Sequence, residues 1–213
     1  MAEANIAGIV EEIGRVYSGL VVQHGVDPKA GGYRDEVSRN LRYDKLAQIL
    51  AADGAPERFT VNELGCGYGA FYEYLESAFP GRVAHYTGYD VSDEMLNRGR
   101  NHLKLRPATM LKQSTVTEEA DYTFISGIFN VRLSASNDEW LDYIHETLRQ
   151  SYRMSKRGMA FYILTSYVDR TNERFFYANP SELLSFCQSQ LSRHVLLAHD
   201  YPLYEFTTIV MRR

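Results

Sequence analysis

The chain has 213 residues, of which 45% are apolar and 23% charged, with a formal net charge of −4. This is enough for one α/β domain with a substantial core, and the acidic balance excludes a general electrostatic draw toward nucleic acid or an anionic membrane. Two cysteines, Cys66 and Cys187, exclude a disulfide framework, and no run of about eighteen apolar residues offers a membrane span.

Glu3, Glu11 and Glu12 interrupt the N-terminal apolar positions and no basic leader precedes them. No secretory segment is read there, and a cytoplasmic location is expected. Residues 5–18 carry Ile6, Ile9, Val10, Ile13 and Tyr17 at helical spacing, weakened by Gly8 and Gly14. Residues 23–33 hold four glycines or prolines and are expected to form a loop. His24 in that loop is a candidate general base. The six histidines are otherwise scattered without metal-binding spacing, so no metal site is expected. A second helix is predicted over 36–51, burying Leu41, Leu46, Ile49 and Leu50.

The most informative stretch follows. A strand-like run, Phe59 to Leu64, leads into Gly65-Cys66-Gly67-Tyr68-Gly69 and then into Phe71, Leu75 and Phe79 at helical spacing. Three alternate glycines turn the backbone tightly and leave it bare, and the helix behind them presents free N–H groups to a ligand. Cys66 is read as a small turn residue rather than a nucleophile. Gly65, Gly67 and Ala70 also satisfy a dinucleotide-binding fingerprint. Glu63 argues against a pyrophosphate at this turn, because a carboxylate repels it and attracts a sulfonium or ammonium group. An acidic residue two places before Gly-x-Gly-x-Gly resembles motif I of the class I S-adenosylmethionine-dependent methyltransferases. The resemblance implies that Glu63 lies near the methionine end of the cofactor, with Gly65, Gly67 and Gly69 passing beneath it. It also implies that helices within residues 1–55 close over the site, where Tyr33 and Arg42 could reach the methionine moiety. A packed aromatic and a solvated helix face are the plainer readings of those two.

A second strand, Val83 to Asp90, ends in a carboxylate 21 positions after Gly69. Nucleotide-binding α/β folds place a ribose-binding carboxylate at about that distance. Ser92 suits the cap of the next helix. The resemblance puts Val91, with Met95 beside it, against the adenine. A third strand is predicted over 109–112. No clear acidic residue for the adenine amino group follows it, so Gln113 is the candidate. Residues 121–130 read as a fourth strand running into a loop that faces the cofactor, with Ser126, Gly127 and Phe129 as candidate contacts and Asn130 as a weak catalytic one.

A helix is predicted over 138–154, ended by Lys156-Arg157-Gly158, and a strand over 159–165. Residues 166–180 mix aromatic and basic side chains, as a cap on a substrate pocket or as an exposed connector. A helix from Pro180 and two strand-like runs, 194–201 and 203–211, complete the chain. The expected fold is α/β: a Rossmann-like three-layer sandwich, 1–213 as one domain with 56–213 as its core, and a mostly parallel seven-stranded sheet closed by an antiparallel C-terminal hairpin. The expected function is methyl transfer from S-adenosylmethionine to a small-molecule acceptor. An NAD(P)-dependent oxidoreductase and a non-catalytic cofactor-binding protein are the alternatives.

Overall fold

The computed structural model describes residues 6–212. Helix α1 spans Ile6–His24, six residues past the predicted end, and residue 5 lies outside the described residues. The stop is Gly25 in the left-handed region, which donates its N–H to Val21 O at 2.9 Å while Val21 is fully buried. His24 therefore closes a helix and is not a loop residue. A single 3-10 turn, Pro28–Gly31, leads to α2, Glu36–Ala52, which starts from a reciprocal Asp35/Ser38 capping box.

Strand β1, Phe59–Leu64, is followed by α3, Ala70–Ala78; β2, Val83–Asp90, by α4, Asp93–His102. The Ser92 side chain caps α4 by accepting from Met95 N. Then come β3, Ala108–Lys112, β4, Ala120–Ile125, and α5, Asn137–Arg153, with a Ser136/Glu139 capping box. Strand β5, Ser155–Leu164, α6, Pro180–Gln190, β6, Val195–Ala198, and β7, Glu205–Met211, complete the chain.

The sheet order is β3-β2-β1-β4-β5-β7-β6, parallel except that β7 runs against both β5 and β6. The chain winds outward from β1 to β3, then crosses to β4 on the other side of β1. Open α/β sheets bind ligands at such a switch point, beyond the carboxyl ends of the strands. Alternate residues of the central strands feed two cores. Tyr122, Phe124 and Tyr162 pack with α2 and α3 on one face; Ile125, Phe161 and Ile163 pack with α5 and α6 on the other. Helix α1 joins both, with Val21 in the first core and Ile9 and Ile13 in the second, and so lies across the strand ends.

Lys156, Arg157 and Gly158 belong to β5 rather than to a turn ending α5. Gly158 pairs with Tyr122 on one side and Met211 on the other, and a Cβ there would stand 2.6 Å from Val210 O. The glycine serves close strand approach, not helix termination. Gly158→Ala is therefore expected to cost about 1–3 kcal/mol of stability by overpacking. Gly19→Ala in α1, where a Cβ meets nothing within 4 Å, is expected to stabilise by about 0.5–1 kcal/mol. Denaturant midpoints of the two variants check the contrast.

Candidate active site

A cavity of about 300 Å³ opens at the switch point, under α1 and the start of α2. Its floor is the glycine turn. Gly65, Gly67 and Gly69 all have positive φ, at 80°, 54° and 88°. Gly65 N and Cys66 N donate to Tyr89 O at 2.8 and 3.1 Å, which ties the turn to β2. A Cβ at Gly65 would lie 2.8 Å from Ser126 O, so the two loops meet backbone to backbone. Helix α3 starts behind this turn with no side-chain cap, which leaves its first N–H groups free for a ligand.

Asp90 lines the cavity from the end of β2. Its Oδ2 accepts from Gly67 N at 2.8 Å and its Oδ1 from Ser92 N at 2.9 Å. Burial raises its pKa above the ordinary carboxylate range, against the lowering pull of those amides. Each oxygen keeps a lone pair for a ligand hydroxyl. The cavity wall continues through Val91, Met95 and the exposed Gln113, and α1 comes down on Val91, whose Cγ2 is 3.0 Å from a Cβ built on Gly14. A hydroxyl-bearing ring beside Asp90, a flat group beside Val91 and a polar chain over the bare turn are what these surfaces fit.

Glu63 stands behind that surface, 1% exposed and not on the cavity wall. Its Oε1 accepts from Ser126 Oγ at 2.6 Å and its Oε2 from Tyr86 Oη. Burial pushes its pKa up to about 8, with the Ser126 and Tyr86 hydroxyls pulling it down and Asp90 adding repulsion. Gly69 is also off the wall, and Phe129 is fully buried, edge-on to Phe161 and Tyr143. Phe129 O accepts from Trp140 Nε1 at 2.8 Å, which pins the loop after β4. Ser126, Gly127 and Asn130 of that loop do line the cavity. His24 does not.

Asn130 Oδ1 accepts from Leu164 N at 3.0 Å, which fixes the side chain, and its amide nitrogen donates to no protein group among the described residues. Tyr33 and Arg42 reach the cavity from above. Tyr33 Oη lies 3.1 Å from Tyr162 Oη, and the Arg42 guanidinium lies over both rings at 5.4 and 5.7 Å. Arg42 Nε contacts the carboxylate of Glu205, 1% exposed, at 2.8 Å. Tyr162 and Glu205 were missed by sequence reasoning. A lone carboxylate at the head of the apolar run 205–211 was the available signal for Glu205, since buried charges need partners.

A family profile described as a methyltransferase domain matches residues 62–163. Rv1506c of Mycobacterium tuberculosis (strain ATCC 25618 / H37Rv), named as a methyltransferase, is 42% identical over 161 residues, covering 74% of this chain and 96% of that one. The fold is shared with the DhpI–SAM–HEP complex, at a TM-score of 0.63 and 15% identity with all of both chains covered. It is also shared with the magnesium protoporphyrin IX methyltransferase of Synechocystis PCC 6803 with bound SAH, at a TM-score of 0.62 and 13% identity over 83% of this chain and 84% of that one. With its glycine turn, its Asp90 and a relative covered almost end to end, the chain belongs to the class I S-adenosylmethionine-dependent methyltransferases.

Proposed function

We propose that this methyltransferase acts on a small molecule, held between the cofactor and the ends of β4, β5 and β7. The cofactor half of this reading rests on the bond from Gly67 N to Asp90, which joins the bare turn and a buried carboxylate into one surface on the cavity wall. Asp90 would accept from the ribose hydroxyls. Val91, Met95 and Gln113 would hold the adenine, and Gly65, Cys66 and Gly67 with Ser126 and Gly127 would carry the methionyl arm.

Bound there, the cofactor supplies a methyl group on a sulfonium leaving group. The chain's own contribution is alignment and exclusion of water. Residues 1–55 would serve as the lid: α1 covers the adenosine end through Ile13 and Gly14, while Tyr33 closes onto Tyr162. The small roofed cavity and the net charge of −4 favour a compact acceptor over nucleic acid. No described helix is long and apolar enough to cross a membrane, and a cytoplasmic location remains the working expectation.

Calorimetric titration with S-adenosylhomocysteine tests the cofactor surface. Binding in the micromolar range is expected, and NAD and NADP in parallel should give no heat of binding. Dinucleotide binding in place of the homocysteine compound would sink the assignment of Asp90 and the turn.

A further inference from the structure

Residues 166–178 leave β5 and return beside it, with Ser166 N donating to Ala178 O and Ala178 N to Leu164 O, both at 2.8 Å. The tip of this strap is stitched to the loop after β4 as a short antiparallel pair. Val131 stands opposite Phe175, with Phe176 N donating to Asn130 O and Arg132 N to Arg174 O, both at 2.9 Å. The strap therefore caps the pocket. Val131 and Phe175 both line the cavity, yet Phe175 is 37% exposed, so the cavity opens to solvent beside that ring.

One step on from Val131 and Phe175, the same register sets Arg132 opposite Arg174 on the rim of this mouth. The Cα atoms of such a hydrogen-bonded pair lie about 5.5 Å apart, and like charges directly opposite one another are destabilising. The backbone holds the two in this arrangement: Leu133 N also donates to Arg174 O, at 3.2 Å, and Leu133 adopts a φ of 50°, a left-handed conformation that a leucine enters only at a cost. No carboxylate offsets the repulsion. Neither guanidinium forms an ion pair among the described residues, although Glu173 adjoins Arg174 in sequence. Arg132 Nη1 donates to Ala135 O, but its Nε is buried and has no hydrogen-bond partner among the described residues. A buried donor left without an acceptor is unfavourable, and an anion held by both heads would relieve the repulsion and supply that acceptor. Guanidinium forks match the oxygens of a phosphate or a carboxylate.

Resting on the methyltransferase reading, we propose that Arg132 and Arg174 form an anion subsite at the mouth of the cavity, and that the methyl acceptor carries a phosphate or carboxylate group there, remote from the atom that is methylated. The body of the acceptor enters between Val131 and Phe175. The anchored group takes no part in the transfer; it fixes how far the acceptor reaches toward the cofactor.

The test uses the full chain saturated with S-adenosylhomocysteine, so a failure of that compound to bind is seen first and faults the cofactor site rather than the arginines. Three probes are followed by fluorine NMR: 4-fluorophenyl phosphate, 4-fluorobenzoate and the neutral 4-fluorobenzyl alcohol. At least one anion is expected to bind about tenfold more tightly than the alcohol, less so as salt rises, and the tighter of the two tells phosphate from carboxylate. Arg174→Gln, at an exposed position, should remove most of that preference and R132Q/R174Q all of it, with affinity for S-adenosylhomocysteine within about twofold of the parent. The tighter anion should also raise the melting temperature of the parent and not that of R132Q/R174Q. An alcohol bound as tightly as both anions would overturn the inference. So would an anion preference unchanged in Arg174→Gln, which would mean an adventitious ion only. Labelled methyl donor with a metabolite extract gives the second arm: labelled product retained on an anion exchanger at neutral pH supports the subsite, and labelled product found only in the flow-through overturns it.

Discussion

Asp90→Ala is expected to weaken binding of S-adenosylhomocysteine by about 1.5–3 kcal/mol, roughly ten- to hundredfold, through loss of charge-assisted hydrogen bonds to the ribose hydroxyls. The geometry favours the upper part of that range. Asp90 also accepts from Gly67 N and Ser92 N, so its removal loosens the turn as well as the ribose contact. Asp90→Asn keeps one acceptor oxygen, enough for one of those amides, and should fall between the parent and Asp90→Ala. Stability should not follow affinity. Burial holds the folded-state pKa of Asp90 above its ordinary value, so its ionisation opposes folding as pH rises through that range. In the Asn variant the lost charge burial and the one amide left unpaired act in opposite directions on stability, so its melting temperature should change less than its affinity, and it should gain less on ligand addition. Calorimetry with paired melting curves reads both effects, and full affinity in a folded Asp90→Ala protein would remove the ribose assignment.

The parts of this site that could be read from the sequence are those whose signals are local. Alternate glycines after a strand allow the positive φ that a tight turn needs, and the structure gives it at all three. Asp90 stands at a fixed distance behind them, and Ser92 caps the next helix as its type demands. What could not be read is which way a side chain faces once distant elements pack. Phe129 and Asn130 are neighbours, but the Trp140 bond to Phe129 O turns the ring into the α5 core and leaves the amide on the cavity. Glu63 stood out as a charge near the ligand, and the fold places it behind the turn, because its partners Tyr86 and Ser126 come from β2 and the β4 loop. Tyr33, Tyr43 and Tyr162, from three separate elements, meet on the wall, and no spacing along the chain announces that meeting. Gly158 shows the reverse error: a glycine after a helix reads as a stop signal, while here it admits the neighbouring strand.

The buried position of Glu63 leads to the second large effect, in pH. Its carboxyl is ordinary when unfolded, near 4.5, and pushed up to about 8 when folded. Between those values the folded chain holds the extra proton, so stability falls as pH rises from about 4.5 to about 8 and then levels off. Glu63→Gln cannot ionise and should raise the melting temperature above pH 8 while changing it little near pH 5. A fixed positive charge in the cavity acts the other way. It favours the ionised carboxylate, so S-adenosylmethionine should displace the proton and bind more tightly as pH rises toward 8, with a limiting slope of about tenfold per pH unit for one proton. S-adenosylhomocysteine has no sulfonium but the same amino and carboxyl groups, so the difference between the two slopes isolates the sulfonium. Glu63→Gln should flatten that difference while it stabilises the protein. Equal slopes for the two compounds in the parent, or an unchanged difference in Glu63→Gln, would mean that the carboxylate behind the turn does not sense the sulfonium and serves only to hold Ser126 and Tyr86 in place.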